Sequence, residues 1–471
     1  MTRFWPLMVS CVVLLAACSM PDDDRPSPTP SPKPRYETPI ALVVHHGRDI
    51  DSLSLDQAKA VIGGEVREWD EISGGTGEIH LVTAEVSGTK GIERVARERG
   101  AVNTVARDRQ ALGIVPAYAV IPRVRALDVD GHDPLRGDRD YPLTTSTDVK
   151  PGTALVTAIT GDIMMGRRVG AYLKRVGDPA AVLRPFSRRL ATADVTVGNL
   201  ESTLSDDGAP QQGGDSFAAD PSTLAGLELA GFDAISLGNN HFGDYQRRAM
   251  LDTVELLDDA GIAIFGGGRD LEQARAPAIV ERRGVRIGFI GTDSIGETPA
   301  ATSTSPGTNR INAPPRTGPL DRDTLDRVAA DINDLDERVD IVIVIPHWGR
   351  QYTPEPEHSQ RVMARAFVEA GADLVAGGHP HWVQGWETFD GGTVVYSTGN
   401  FVFDMTTRET QEGLVLEVVT RGDRVVAIDT VPYVIGSRNF TPRPARNQAR
   451  VDAIYDLVRG ASEVPFDRLR P

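Results

Sequence analysis

The chain has 471 residues, 40% of them hydrophobic and 25% charged, which excludes a disordered or predominantly membrane-spanning protein and leaves room for two domains. A formal net charge of −16 excludes nucleic acid as a main partner, because phosphate recognition rests on basic surface that displaces counterions. Both cysteines, Cys11 and Cys18, fall within the first eighteen residues, so no downstream disulfide or thiolate metal site is available.

Arg3 precedes an apolar run over residues 4–17, shorter than the ~20 residues a membrane span needs and shaped like an export signal. The run closes on Leu15-Ala16-Ala17-Cys18, which resembles a bacterial lipobox. By that resemblance residues 1–18 are a lipoprotein signal peptide, and Cys18 carries the lipid that holds the mature chain on the extracytoplasmic face of the cell membrane. Residues 19–39 are Pro-rich and include Asp22, Asp23 and Asp24, a composition that predicts an extended spacer rather than a packed unit.

Apolar residues 40–44 predict a strand, 55–62 an amphipathic helix and 78–84 a second strand, so residues 40–147 read as a small α/β domain. The pieces around Asp51 to Ala58, Val66 to Trp69, Gly74-Gly75, Ser87-Gly88-Thr89-Lys90, Leu112 to Pro116 and Tyr141-Pro142-Leu143 resemble, in order, part of a phosphate-type periplasmic solute-binding protein. That resemblance implies a helix opened by Ser87-Gly88-Thr89 whose free N–H groups face an oxyanion. A solute-binding cleft needs two full lobes and the span supplies only part, so a structural module is expected.

Lys150-Pro151-Gly152 punctuates the chain, and a larger domain over residues 153–440 follows, with 441–471 as a C-terminal tail. Strands are predicted at 154–160, 195–197, 234–237, 263–265, 286–291, 340–345, 373–376, 393–397 and 413–419, with helices at 247–260 and 360–370 among those between them. Such alternation predicts an α/β layered architecture. Residues 298–319, rich in Pro, Ser and Thr and without periodicity, read as a disordered insertion or a lid, of which the disordered insertion is expected.

Five predicted strands run into polar motifs: Gly161-Asp162, Gly198-Asn199-Leu200-Glu201, Gly238-Asn239-Asn240-His241, Pro346-His347-Trp348-Gly349 and Gly378-His379-Pro380-His381. Open α/β sheets bind ligands beyond the carboxyl ends of their strands, so these groups are candidates to converge in one crevice. Carboxylate, carboxamide and imidazole together suit divalent manganese, zinc or iron, whereas calcium prefers oxygens alone. Pro380 holds the flanking histidines as a rigid pair in extended backbone. Taken singly, Asp162 also reads as a helix N-cap, Glu201 as a surface acid and His347 as a hydrogen-bonded core histidine.

These motifs, with Arg167, Asp244-Tyr245, Gln384 and the run from Ser397 through Asn400 to Asp404, resemble the CapA proteins of poly-γ-glutamate capsule synthesis, a branch of the calcineurin-like metallophosphoesterases. The resemblance covers residues 154–432. It implies a metallophosphoesterase-like β-sandwich flanked by helices, beside the smaller N-terminal α/β domain. It implies metal ligands at Asp162, Glu201, Asn240, His347, His379 and His381, with Glu201 bridging, and a general acid at His241. Asn199 and Gln384 are candidates for orienting the ligands by hydrogen bonds, and Arg167 for contacting substrate. Where ordinary metallophosphoesterases carry a histidine in the first motif this chain has Met164, a poor ligand, so one ion or two is left open.

The function expected is a membrane-anchored, metal-dependent hydrolase or transferase in synthesis, anchoring or trimming of an anionic surface polymer. The partners expected are that polymer or its membrane synthase. A phosphatase or phosphodiesterase is one alternative, and a metal-stabilised scaffold without catalysis is the other.

Overall fold

A computed structural model describes residues 34–462 apart from 85, 87–92 and 95–97. Cys18, the signal segment, the spacer up to residue 33 and the Ser87-Gly88-Thr89 motif lie outside the described residues.

The first unit is built on β1 (Tyr36–Val44), α1 (Leu55–Ile62), β2 (His80–Thr83), α2 (Glu98–Val105), β3 (Ala111–Pro116) and β4 (Thr144–Thr147). Residues 40–44 are buried on both faces, which a run without polar alternation requires. Strand β1 sits in the sheet interior, antiparallel to β3 and to the short strand Arg125–Ala126, while its first half pairs β4. Helix α1 begins with a capping box, Ser54 accepting from Gln57 N while the Gln57 side chain accepts from Ser54 N. One face of this sheet closes over Trp69, Leu53 and Val61. The other packs Ala41, Val43 and Val115 with Val419 and Val426 of the larger unit.

The chain continues through β5 (Ala154–Ile163), α3 (Arg167–Val176), α4 (Arg184–Ala191), β6 (Val195–Leu200), α5 (Leu224–Ala230), β7 (Ala234–Ser236), α6 (Gln246–Asp259) and β8 (Ala263–Phe265). It then forms β9 (Ala278–Arg282), β10 (Val285–Asp293), α7 (Arg322–Asp336), β11 (Ile341–His347), α8 (His358–Glu369), β12 (Leu374–Ala376), β13 (Trp386–Thr388) and β14 (Thr393–Val395). Last come β15 (Asn400–Val402), β16 (Glu412–Arg421), β17 (Val425–Ile435), β18 (Pro442–Pro444) and α9 (Gln448–Ala461).

Two sheets face each other. The first runs β8-β7-β6-β5-β16-β17-β18, with β15 also on β5; the second runs β9-β10-β11-β12-β14-β13. Apolar side chains from both inner faces, among them Ile159, Val197, Phe265, Phe289, Ile343 and Leu416, make the core between them. Helices α3 to α6 cover the outer face of the first sheet, and α7 and α8 that of the second. The result is the expected layered α/β architecture: helices, sheet, sheet, helices, with a smaller α/β unit attached. In each sheet four neighbouring strands are parallel, so their carboxyl ends open on one edge.

Residues 298–319 are ordered, contrary to the expectation of a disordered insertion. Thr308 Oγ1 donates to the buried Asp293 carboxylate at 3.1 Å, Arg310 pairs with it at 2.9 Å, and Ile311 and Ala313 enter the core under α7. These anchors sit in backbone whose longest regular element is the two-residue strand Gly307–Thr308, so they leave no periodic trace in the sequence. Residues 441–461 are also integral: β18 extends the first sheet and α9 places Val451, Ile454 and Val458 in the inter-sheet core.

Candidate metal centre

The carboxyl ends of both sheets supply the site. Strand register sets Asp162 on β5 between Asn199 of β6 and Asn400 of β15. Residue 162 is therefore a strand residue rather than an N-cap, and its carboxylate accepts from Asn199 Nδ2 at 2.8 Å and from the His379 amide at 3.1 Å. Close approach of the 377–381 loop depends on Gly378, where a Cβ would lie 2.5 Å from Asp162 Oδ1.

All six candidate ligands meet here. Ligand atoms of Asp162, Glu201 and His381 lie within 4.8 Å of one another, all three residues buried. His347 reaches the same carboxylates, with Nδ1 at 3.9 Å from Asp162 and Nε2 at 3.9 Å from Glu201, and Asn240 Oδ1 is 2.9 Å from His347 Nε2. The ring of His379 is centred 4.9 Å from that of His347 and 5.8 Å from that of His381. The Pro380 expectation needs correction: His379 and His381 both adopt positive φ, 92° and 58°, so the pair is held in the left-handed region rather than in extended backbone. Such conformations cost of order 1–3 kcal/mol each and persist where surrounding contacts enforce them.

Two of these groups have buried polar atoms that find no hydrogen-bond partner among the described residues: both carboxylate oxygens of Glu201, which is 0% exposed, and both ring nitrogens of His379. Leaving such groups unsatisfied costs about 1–3 kcal/mol apiece, more when charged. Burial, then the neighbouring Asp162 charge, raises the Glu201 carboxyl well above its ordinary range. Burial holds the imidazoles of His347 and His379 well below theirs and pushes His381 down to about 4. Neutral imidazole is the protonation state a divalent cation takes, and the same cation would supply the positive charge that the crowded Asp162 and Glu201 carboxyls lack and so favour their ionised form. The residues therefore fit an ion of that class.

A surrounding layer fixes donor orientation. His381 Nδ1 lies 2.8 Å from Asn400 Oδ1, and Asn400 Nδ2 donates to the Thr410 carbonyl at 3.0 Å. Oxygen is thus the amide atom facing the ring, so Nδ1 carries the proton and Nε2 offers its lone pair. Asn239 donates to Asn199 Oδ1 and to the Leu200 carbonyl, locking the amide that holds Asp162. Met164 does not approach the donors; it is buried in the core under α3, and its sulfur accepts from Gly166 N.

His241 stands beside the ligands rather than among them, its Nε2 3.8 Å from Glu201 Oε1 and its Nδ1 2.7 Å from Asp244 Oδ2. Its ring stacks on Phe217 at 3.8 Å. The Arg167 guanidinium lies 4.3 Å from the centre of that Phe217 ring and is held by Asp404, at the mouth of the site. Tyr352, 51% exposed, flanks the mouth and stacks against His381 with ring centres 5.8 Å apart.

Gln384 does not act as expected. Its amide accepts from Gln360 and donates to the carbonyls of Thr353 and Glu355, tying down the 350–357 loop without touching a candidate ligand. Glu297, Phe217 and Tyr352 carry no motif and escape a reading of the sequence altogether. Asn239, Asp244, Asn400 and Asp404 stand out there as motif members, but nothing local reveals their tasks.

Residues 156–405 match the family described as Bacterial capsule synthesis protein PGA_cap. The capsule biosynthesis protein CapA of Bacillus anthracis is 30% identical over 318 residues, 65% of this chain and 74% of that one. The PGA biosynthesis protein CapA of Bacillus subtilis is 28% identical over 301 residues, 63% of this chain and 75% of that one. Among solved structures, a hypothetical protein from Thermus thermophilus aligns over 59% of this chain and 99% of its own, at 18% identity and a TM-score of 0.37.

Proposed function

This chain belongs to the bacterial capsule synthesis PGA_cap family, and from that premise we propose that it acts on an anionic surface polymer of the poly-γ-glutamate type through a divalent-metal site, in synthesis, anchoring or trimming. The observation that carries the metal reading is the pair of orphaned groups, Glu201 and His379, buried between three further donors. Asp162, Glu201 and His381 would hold one ion; Glu201, Asn240, His347 and His379 form a second group of donors sharing the same carboxylate. A divalent ion held there supplies Lewis-acid polarisation of a carbonyl or phosphoryl oxygen.

The chain's own residues do the rest. His241, with Nδ1 held by Asp244, presents Nε2 toward Glu201 and is placed to give a proton to a leaving group. Arg167, fixed by Asp404, offers a cation to a substrate carboxylate at the mouth. The six ligands are each no more than 2% exposed, so charge on a bound substrate would be screened little by water. We place the protein on the extracytoplasmic face of the membrane, anchored at Cys18 by the lipobox-like tetrapeptide.

Elemental analysis of protein purified without chelators tests the site. The parent is expected to carry divalent metal, His379→Ala/His381→Ala to lose most of it while remaining folded, and Trp382→Phe to lose none. Full metal content in the double variant would sink the assignment. With the loaded protein, cleavage of poly-γ-glutamate supports polymer processing, hydrolysis of generic phosphoesters supports a phosphatase, and neither supports a scaffold.

A further inference from the structure

Two stretches of this acidic chain are strongly basic: residues 164–193 and 434–450 together hold eleven Lys or Arg and one Asp, against a net charge of −16 for the whole. The fold brings them onto one face. Helix α4 lies against β18, and Tyr172 of α3 meets Phe440 edge-on at 6.3 Å. Arg168 and Arg175 lie over Phe440 and Tyr172, at 5.7 Å and 5.2 Å from the ring centres.

Part of this charge is structural. Asp404 engages Arg168, Asp178 takes Arg184, Glu417 takes Arg189, and Lys174 faces Asp220. Cations in the last turns of α3 and α4 also complement the helix dipoles. Neither reason covers Arg438 and Arg443, which lie off the helices, and Arg175, Arg188, Arg438 and Arg443 have no carboxylate partner among the described residues. The face starts at the site: Arg167 at the head of α3 sits at the mouth, and the helix carries the surface about 12 Å away over eight residues.

We propose that this face, from Arg168 along α3 and α4 to β18, is a track that binds a polycarboxylate chain and leads it to the mouth of the metal centre. The proposal rests on the polymer reading above. An acidic exterior elsewhere repels such a chain and favours its landing here. Aromatic side chains on the face pack against each other rather than forming an exposed stacking platform, which disfavours single-stranded nucleic acid. Val176 is the one large exposed apolar side chain within the two stretches, too little to seat in a bilayer.

The test uses the full chain carrying Cys18→Ala throughout and fluorescently labelled poly-γ-glutamate, with binding read by anisotropy at low and moderate salt. The Arg175→Gln/Arg188→Gln/Arg443→Gln variant is expected to bind at least about tenfold more weakly and with a shallower salt dependence, the effect of removing three screened cation–carboxylate pairs at once. It should keep the parent's metal content. Arg139→Gln/Arg322→Gln/Arg338→Gln, at exposed positions elsewhere, should bind like the parent. Equal binding by the two triple variants overturns the track. So does vesicle binding, at 30% phosphatidylglycerol, that depends on the three track arginines while polymer binding does not. A parent that binds no polymer at low salt overturns it too, whereas failure of the metal reading shows separately as absence of metal from the parent.

Discussion

Asn240 gives an amide hydrogen to Glu297 Oε2 at 2.7 Å, and this turns its carbonyl oxygen toward His347 Nε2 at 2.9 Å. The carboxamide is thereby oriented as an oxygen donor by a residue 57 positions away, on the ordered segment that follows Asp293. Outer hydrogen bonds of this kind typically govern metal affinity by 10–100-fold. Glu297→Ala is expected to weaken metal retention within that range, measured by chelator competition, and Glu297→Gln, which keeps an acceptor, by clearly less. Parent-like retention in Glu297→Ala would show that Asn240 needs no such support.

The buried imidazoles should make the metal-free protein lose stability on acidification relative to a variant that lacks them. His347, His379 and His381 stay neutral when folded, His381 down to about 4, whereas in the unfolded chain each takes up a proton near 6.5. Between those values the unfolded state binds more protons, so stability falls as pH falls. Asp162 and Glu201 act in the opposite sense, because burial raises both carboxyls and the folded state keeps protons that the unfolded state releases. The histidine share is therefore read as a difference between proteins. Urea midpoints of chelator-treated parent should fall more, or rise less, from pH 7 to pH 5 than those of His379→Ala/His381→Ala. Equal pH slopes in the two proteins would contradict the burial argument.

Arg136, on a loop of the smaller unit, bonds Glu417 at 2.8 Å and Asp429 at 2.6 Å on the first sheet of the larger one. Arg136→Met is expected to cost about 1–3 kcal/mol in urea unfolding, less than a fully buried pair because the guanidinium is partly exposed and Arg189 still serves Glu417. A fragment of residues 151–471 retains every candidate ligand and should bind metal. It also uncovers Val419 and Val426, so its melting temperature should lie below that of the full chain. Loss of metal by a soluble, folded fragment would tie the smaller unit to the site.

Cys18→Ala should release the protein from the membrane fraction, because the apolar segment before it is too short to span. Retention of that variant in membranes would mean that residues 4–17 anchor the chain uncleaved.

The order of strands and the groups at their ends were legible in the sequence, because both are local: buried parallel strands are continuous apolar runs, and the ligand-bearing turns follow them within five residues. Asp162, Glu201 and the two histidines around Pro380 stood out as candidates from residue type and position, and their roles as ligands were implied by the resemblance to the CapA proteins. What only tertiary structure decided is how those donors are held. The proton on His381 depends on Asn400, the Asn240 amide on Glu297, and the Asp162 carboxylate on an asparagine in the neighbouring strand. Each is a single hydrogen bond between segments distant in sequence, which leaves no periodic or compositional mark. The same reason hid the order of residues 298–319 and the packing of α9, and the basic face exists only because α4 and β18, some 250 residues apart, were folded together.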